Sequence, residues 1–367
     1  MSPTDKRIFL QPPYVGKHER ELVMAAFDSG YIAPCGPQVD EFERRLAALS
    51  GRKYAVALSS GTAAIDLILE ELRVGPGWTV VAPTLSFIAT VGPAWHRGAD
   101  LAFVDCDATG NVDVALLDQA LGELADGKRK LLVIGVDLYG RCCDYDGIAR
   151  VARRHGATFV VDAAESVGSV YKGRGSGSGG LAAVYSFNGN KTVTTSGGGA
   201  LLTDSKGFAE RAKKSSQQSR ERKLYYEHKA VGHNYRMSNI LAAVGLAQLD
   251  RLPEILEKKR AVAAFYAGRF ADRLADPAYE TVSNNWLNVV LLGSERARDA
   301  AIRRLAAIGI ESRPVWKPLH LQPVFAGVRS FGGGVAENFF RRGICLPSGA
   351  GLTRGDLERI AGGVEKA

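Results

Sequence analysis

The chain has 367 residues, 46% hydrophobic and 23% charged, with a formal net charge of +8. The length exceeds one ordinary domain and predicts one large and one smaller domain, while the composition is that of a globular protein. No apolar run approaches the roughly 20 residues that cross a bilayer, so a membrane protein is excluded at this level.

The start, MSPTDKRIFLQPPYVG, lacks a signal-peptide core, and a cytoplasmic location is expected. From residue 53, apolar strand-like runs alternate with helix-like runs. KYAVALS precedes GTAAIDLILEEL, TVVAP precedes SFIATVGPAWHR, and DLAFVDCD precedes VALLDQALGELA. KLLVIGVDLYG precedes DGIARVARRHG, and TFVVDAA follows. This rhythm predicts a mostly parallel sheet with helices on both faces. GRGSGSGG, residues 173–180, reads as a flexible glycine loop. AAVYSF and GALLT then follow with no helix between them, so they are expected to pair.

NILAAVGLAQLDRL is the next helix. From about Leu256, LEKKRAVAAFYAGRFADRL reads as a connector into a second domain with the strand NWLNVVLLG, the helix ARDAAIRRLAAIG and a final helix TRGDLERIAGGVEKA. The expected division is residues 1–250 and 251–367. The five cysteines show no metal or disulfide spacing and read as reduced thiols; the six histidines form no HxxxH or HxH pair, so no metal site is expected.

Ligands of open parallel sheets bind beyond the carboxyl ends of the strands. After KYAVALS comes Ser59-Ser60-Gly61-Thr62-Ala63, opening a helix. Free N–H groups and small side chains there suit a phosphate, although Ser60 or Thr62 could equally be a plain N-cap. After TVVAP comes Phe87, which either packs in the core or stacks on a planar ring. Asp162 ends the strand TFVV, where poor solvation demands a donor or cation partner. It reads as a loop cap or as the partner of a protonated pyridine nitrogen. Ser186 and Lys191 flank a turn of Asn188, Gly189 and Asn190. A phosphate cradle, a stacking aromatic, a buried acid and a lysine, in this order on successive strand ends, are the parts that pyridoxal 5′-phosphate (PLP) requires, the lysine forming a Schiff base.

The segments SSGTAAIDL, PTLSFIAT, VDLYGR, VVDAAESVGSVYKG, SFNGNKTVTTSGGGALLT, GHNYRMSNILAAVGLAQL and LPSG carry a resemblance to the DegT/StrS-like sugar-nucleotide aminotransferases of PLP fold type I, over nearly the whole chain. The resemblance implies a large mixed, mostly parallel sheet domain and a smaller C-terminal α+β domain. It implies Lys191 as the Schiff-base lysine, Asp162 as the pyridine-nitrogen partner, Phe87 as the stacking aromatic, and Gly61, Thr62, Ala63 and Ser186 at the phosphate. Glu165 is implied near the cofactor ring oxygen, where many relatives carry Gln or His. Asn234, in GHNYR, resembles an asparagine that reaches the phosphate in the neighbouring subunit, so a homodimer with shared sites is implied. GSGSGGLAAVYSF departs from the family's GxxGDxxxFSF pattern by lacking its acidic residue.

Within the family, GYIAPCGP, FNGNKTVTTSGGG, YYEH, NYRMSN and ESRPVWKPLH resemble members that aminate a UDP-linked 4-keto-6-deoxy-N-acetylglucosamine on the N-acetylbacillosamine pathway. Glu at position 165 fits that subgroup. Glutamate is the implied amino donor, and dTDP- or GDP-linked keto sugars are the alternatives. The basic stretch 211–229 reads as a solvated face, a nucleic-acid surface with Tyr225 and Tyr226 stacking, or a site for an anionic small substrate. Beside Asn234, the phosphates of a nucleotide sugar are the more economical partner, with Arg220, His228, Arg236 and His320 as candidate contacts. A pyridoxamine-phosphate dehydratase of this fold would carry His in place of Lys191. A non-catalytic regulator has no need of the full set Phe87, Asp162, Ser186 and Lys191.

Overall fold

The computed structural model describes residues 7–125 and 127–365. The first six residues of the start segment and the last two of the expected final helix lie outside the described residues. Eight strands form the main sheet: β1 (Tyr54–Leu58), β2 (Trp78–Pro83), β3 (Asp100–Val104), β4 (Lys130–Val136), β5 (Thr158–Asp162), β6 (Ala182–Ser186), β7 (Gly199–Thr203) and β8 (Arg329–Phe331), in the spatial order β1-β7-β6-β5-β4-β2-β3-β8. All run parallel except β7, which is antiparallel to both β1 and β6.

Side chains alternate between the two faces of a strand, and both faces here are covered. Ala57, Val81, Val104, Val133, Val161, Ala183 and Leu202 enter one core with Phe42, Leu121 and Tyr145. Their neighbours Val56, Val80, Phe103, Ile134, Val160, Val184 and Leu201 enter another with Leu67, Ile68 and Phe208. A sheet buried on both sides explains why the strands read as continuous apolar runs. The result is fold type I, as expected.

Three stretches differ from their sequence reading. SFIATVGPAWHR is a 3-10 turn (Ile88–Thr90) followed by a short helix (Gly92–His96), because Pro93 carries no N–H to continue a helix. The long connector helix begins at Leu252, with a proline in its first turn, and ends at Arg269. Residues 173–180 are packed rather than flexible. The Arg52 guanidinium lies inside this loop and donates to the carbonyl oxygens of Gly177, Gly179 and Gly180. Gly180, at φ +66°, passes so close to β5 that a Cβ would sit 2.6 Å from the Phe159 carbonyl oxygen.

The C-terminal part has its own antiparallel sheet of Asn288–Leu291, Gly343–Leu346 and Arg313–Pro314. It packs on the helices Leu252–Arg269, Glu295–Ala307 and Arg354–Glu365 through Val262, Tyr266, Val290, Leu305, Ile344 and Ile360. The chain crosses the expected boundary at residue 250 in both directions. Ile8 joins the C-terminal core and exchanges backbone bonds with Gly309 and Glu311. β8, from the C-terminal part, pairs with β3 in the main sheet.

Candidate active site

A cavity of about 820 Å³ opens at the carboxyl ends of the parallel strands. One part of its wall comes from strand ends of the main sheet and the segments that follow them, and another from residues 9–13 and from the C-terminal part at Trp286, Arg313 and Trp316. After β1, Ser60 caps the helix Gly61–Glu71 by accepting the Ala63 N–H at 3.0 Å. The first N–H groups of a helix have no intrahelical acceptor, so Gly61 and Thr62 are left as donors where the dipole favours an anion. Gly61 sits against β6, where a Cβ would come within 3.1 Å of Ser186 Cβ. After β2, Phe87, 57% exposed, lines the cavity with its ring 5.7 Å from the Trp316 ring.

Asp162 ends β5 and is buried. Thr90 Oγ1 donates to its Oδ2 at 2.7 Å, and the Ala164 N–H donates to its Oδ1 at 3.1 Å. Burial raises the pKa of this carboxyl, opposed by those two bonds and by the charge of Lys191. Glu165 Oε2 accepts the Tyr139 N–H at 2.7 Å, and Oε1 lies 3.7 Å from Lys191 Nζ. Burial pushes Glu165 up and Lys191 down, so each is driven toward its neutral form while their mutual attraction resists. Lys191 sits in the β6–β7 connection, where its N–H donates to the Asn188 carbonyl at 2.9 Å. Its Nζ lies 3.9 Å from the centre of the Trp286 ring, whose indole N–H donates to the Asn190 carbonyl at 2.7 Å.

The residues present fit PLP. A helix N-terminus with Ser186 beside it offers donors to a phosphate. An exposed aromatic face in the wall can cover a planar ring. Two buried acids beside one amine suit a ring nitrogen that arrives charged.

Several sequence-predicted residues are not in this wall. Ala63 spends its N–H on the Ser60 cap and does not line the cavity. Arg236 is buried in the protein body, donating to Glu43 Oε1 at 2.5 Å and to the Ala57 carbonyl at 2.9 Å, so it is structural. His320 bonds Thr84 Oγ1 at 2.6 Å and Glu337 Oε1 at 3.2 Å behind the wall, and is structural as well. Arg220, His228 and Asn234 lie on an exposed surface stretch away from this cavity in the same chain. Sequence reading missed Thr90, Trp286, Trp316 and the Ser86 hydroxyl, which is 2.7 Å from Thr90 Oγ1. Thr90 was signalled only by an unexplained polar residue three positions after Phe87. Trp286 was hidden in a segment that reads simply as a strand.

A cleft that fits PLP on a fold type I scaffold, with a lysine at its wall, marks a PLP-dependent enzyme. The chain belongs to the DegT/DnrJ/EryC1/StrS aminotransferase family, whose profile matches residues 13–365. It is 41% identical to EpsN of Bacillus subtilis over 97% of this chain and 94% of that protein. It is 36% identical to the GDP-perosamine synthase of Caulobacter vibrioides over 98% of each. Among solved structures it is similar to the PLP-form of Spr1654 from Streptococcus pneumoniae, with TM-score 0.91, 29% identity and 98% of each chain covered. The protein is a PLP-dependent sugar aminotransferase. No helix among the described residues is long and apolar enough to cross a membrane.

Proposed function

We propose that the chain aminates a UDP-linked 4-keto-6-deoxy-N-acetylhexosamine at C4, with glutamate as donor. The observation that carries this reading is the cavity itself. Its 820 Å³ is near the upper end for small-molecule sites and leaves room beyond the cofactor for a sugar. The segments GYIAPCGP, FNGNK, YYEH and ESRPVWKPLH favour the UDP-linked substrate. The similarity to a GDP-perosamine synthase favours a GDP-linked keto sugar as the second reading.

The cofactor supplies a carbon that accepts the donor's amine and a ring that takes up electrons. Lys191 would hold the cofactor and, when free of it, would serve as the general acid and base for the proton of the reacting carbon. Asp162, oriented by Thr90 and the Ala164 N–H, would keep a ring nitrogen protonated. Phe87 would cover a ring face, Gly61, Thr62 and Ser186 would bind the phosphate, and Glu165, beside Lys191, would face the ring oxygen.

The exposed stretch 220–234 completes the site of a second subunit. Its apolar side chains Leu224, Tyr226 and Val231 are at least 80% exposed, more than a free surface favours. Asn234 would reach the partner's cofactor phosphate, and Arg220 and His228 the substrate diphosphate through charge-assisted bonds. We place the enzyme in the cytoplasm, where its five free thiols stay reduced.

A panel of UDP-, dTDP- and GDP-linked amino sugars, run in reverse with 2-oxoglutarate, tests the substrate. The UDP sugar should have the highest kcat/KM. A tenfold preference for another nucleotide, about 1.4 kcal/mol in the transition state, makes the substrate assignment wrong and leaves the family intact. Mixing inactive Lys191→Ala with inactive Asn234→Ala should restore activity through hybrid dimers. A fully active monomer rules the shared site out.

A further inference from the structure

Trp286 is tied down at both ends. In front, its ring faces Lys191 Nζ at 3.9 Å, and its indole N–H donates to the carbonyl of Asn190, the residue before that lysine. Behind, Lys259 Nζ donates to the Trp286 carbonyl at 3.3 Å, to the Ser348 carbonyl at 2.8 Å and to Gln11 Oε1 at 3.3 Å. The sides are closed by Tyr139 and Trp316, with ring centroids 6.4 and 6.0 Å away. An indole so fixed is a surface of set position, and its face attracts a cation within about 6 Å.

We propose that Trp286 is the resting platform of the Lys191 amine whenever that amine is not bonded to the cofactor, and that Lys259 is the positioning residue that holds the platform. The inference rests on Lys191 being the lysine that holds PLP. When the donor's amine forms its bond to the aldehyde carbon, the bond from Lys191 Nζ to that carbon breaks. One proton passes from the donor nitrogen to Nζ. The freed amine must then stay within reach of the substrate carbon, take its proton and become an ammonium. The indole face holds it there and stabilises the ammonium once formed. The charged groups facing Nζ are Glu165, at 3.7 Å, and Asp162.

The test uses enzyme loaded with pyridoxamine 5′-phosphate, in which the Lys191 amine is free. Its titration is followed by pH-dependent acetylation and peptide mass spectrometry. Trp286→Leu should lower the Lys191 midpoint by roughly half to one pH unit, the size expected for a desolvated cation–π contact. Trp286→Phe, which keeps an aromatic face and most of the packing, should lower it less. Lys259→Met, which frees the Trp286 carbonyl, should move it in the same direction. Midpoints equal to the parent's in both Trp286 variants overturn the platform. Borohydride reduction of the PLP-loaded parent separates this failure from that of the underlying reading. An adduct on Lys191 with unchanged midpoints sinks the platform alone; an adduct on another lysine sinks both.

Discussion

Lys191 and Lys259 lie at opposite ends of one tryptophan, and they are buried to different purposes. Lys191 is 13% exposed on a cavity wall and faces two carboxylates. Lys259 is fully buried in the helix Leu252–Arg269 and faces only neutral oxygens, from Gln11, Trp286 and Ser348. Burial lowers both pKa values, Lys259 to about 7. The difference lies in what answers the charge. Carboxylates within a few ångströms answer the charge of Lys191 and give its proton a partner to share it. Carbonyl and amide oxygens can satisfy the donors of Lys259 but cannot accept its proton, which makes it a clamp.

The largest expected effect breaks the symmetry outright. Lys191→Met should reduce turnover by about 10⁴-fold or more, the scale of a lost general acid and base, and should remove the borohydride adduct. Lys259→Met should leave that adduct in place. Next comes the acid that serves Lys191. Asp162→Ala should lower kcat/KM by roughly 100- to 1,000-fold, because a buried charge loses its partner. Pyridoxamine phosphate affinity, measured by fluorescence, should fall with it.

The third test sharpens the clamp. The folded pKa of Lys259, about 7, lies below its unfolded value of about 10.4, so between these limits the unfolded chain binds more protons and stability rises with pH. In Lys259→Met this contribution disappears. The difference in urea-unfolding free energy between parent and variant should change by at most about 1.4 kcal/mol per pH unit from pH ~7 upward. Taking the difference cancels the buried tyrosines and cysteines, which act with the opposite sign at high pH. A pH-independent difference would mean that Lys259 stays charged throughout. The smallest effect is expected from Thr90→Val, which removes one bond to Asp162. It should cost roughly tenfold in kcat/KM, and the pH limb that reports Asp162 should move upward.

The strands β1 to β7 were legible because they are buried on both faces, so each read as an apolar run between helical periods; β8 at the edge was not, because two of its three residues are exposed. Asp162, Phe87, Ser186 and Lys191 were legible because position after a strand is a local property. Thr90 was not, because its link to Asp162 joins two strand ends through space. Trp286 was not, because its segment reads as a plain apolar strand, whereas the strand starts only at Asn288 and leaves Trp286 in a bend at the cavity. The same limit explains residues 173–180. Glycine-rich composition signals freedom, yet here it lets the backbone close around Arg52, a residue more than a hundred positions away in sequence. Arg236 and His320 mislead in the opposite way: polar residues in suggestive motifs bond to partners outside the cavity wall.

β7 runs against its neighbours, and that reversal bears on how the enzyme can diverge. The connection that carries Lys191 leaves β6 and enters β7 directly, with Ser186 opposite Gly199 in register. It is a bracket bolted at both ends. One inserted residue would add about 3.3 Å of chain, close to the 3.7 Å between the Lys191 amine and Glu165. Drift in length is therefore barred here. It is open to the exposed stretch 220–231, where a change of loop length leaves the amine in place.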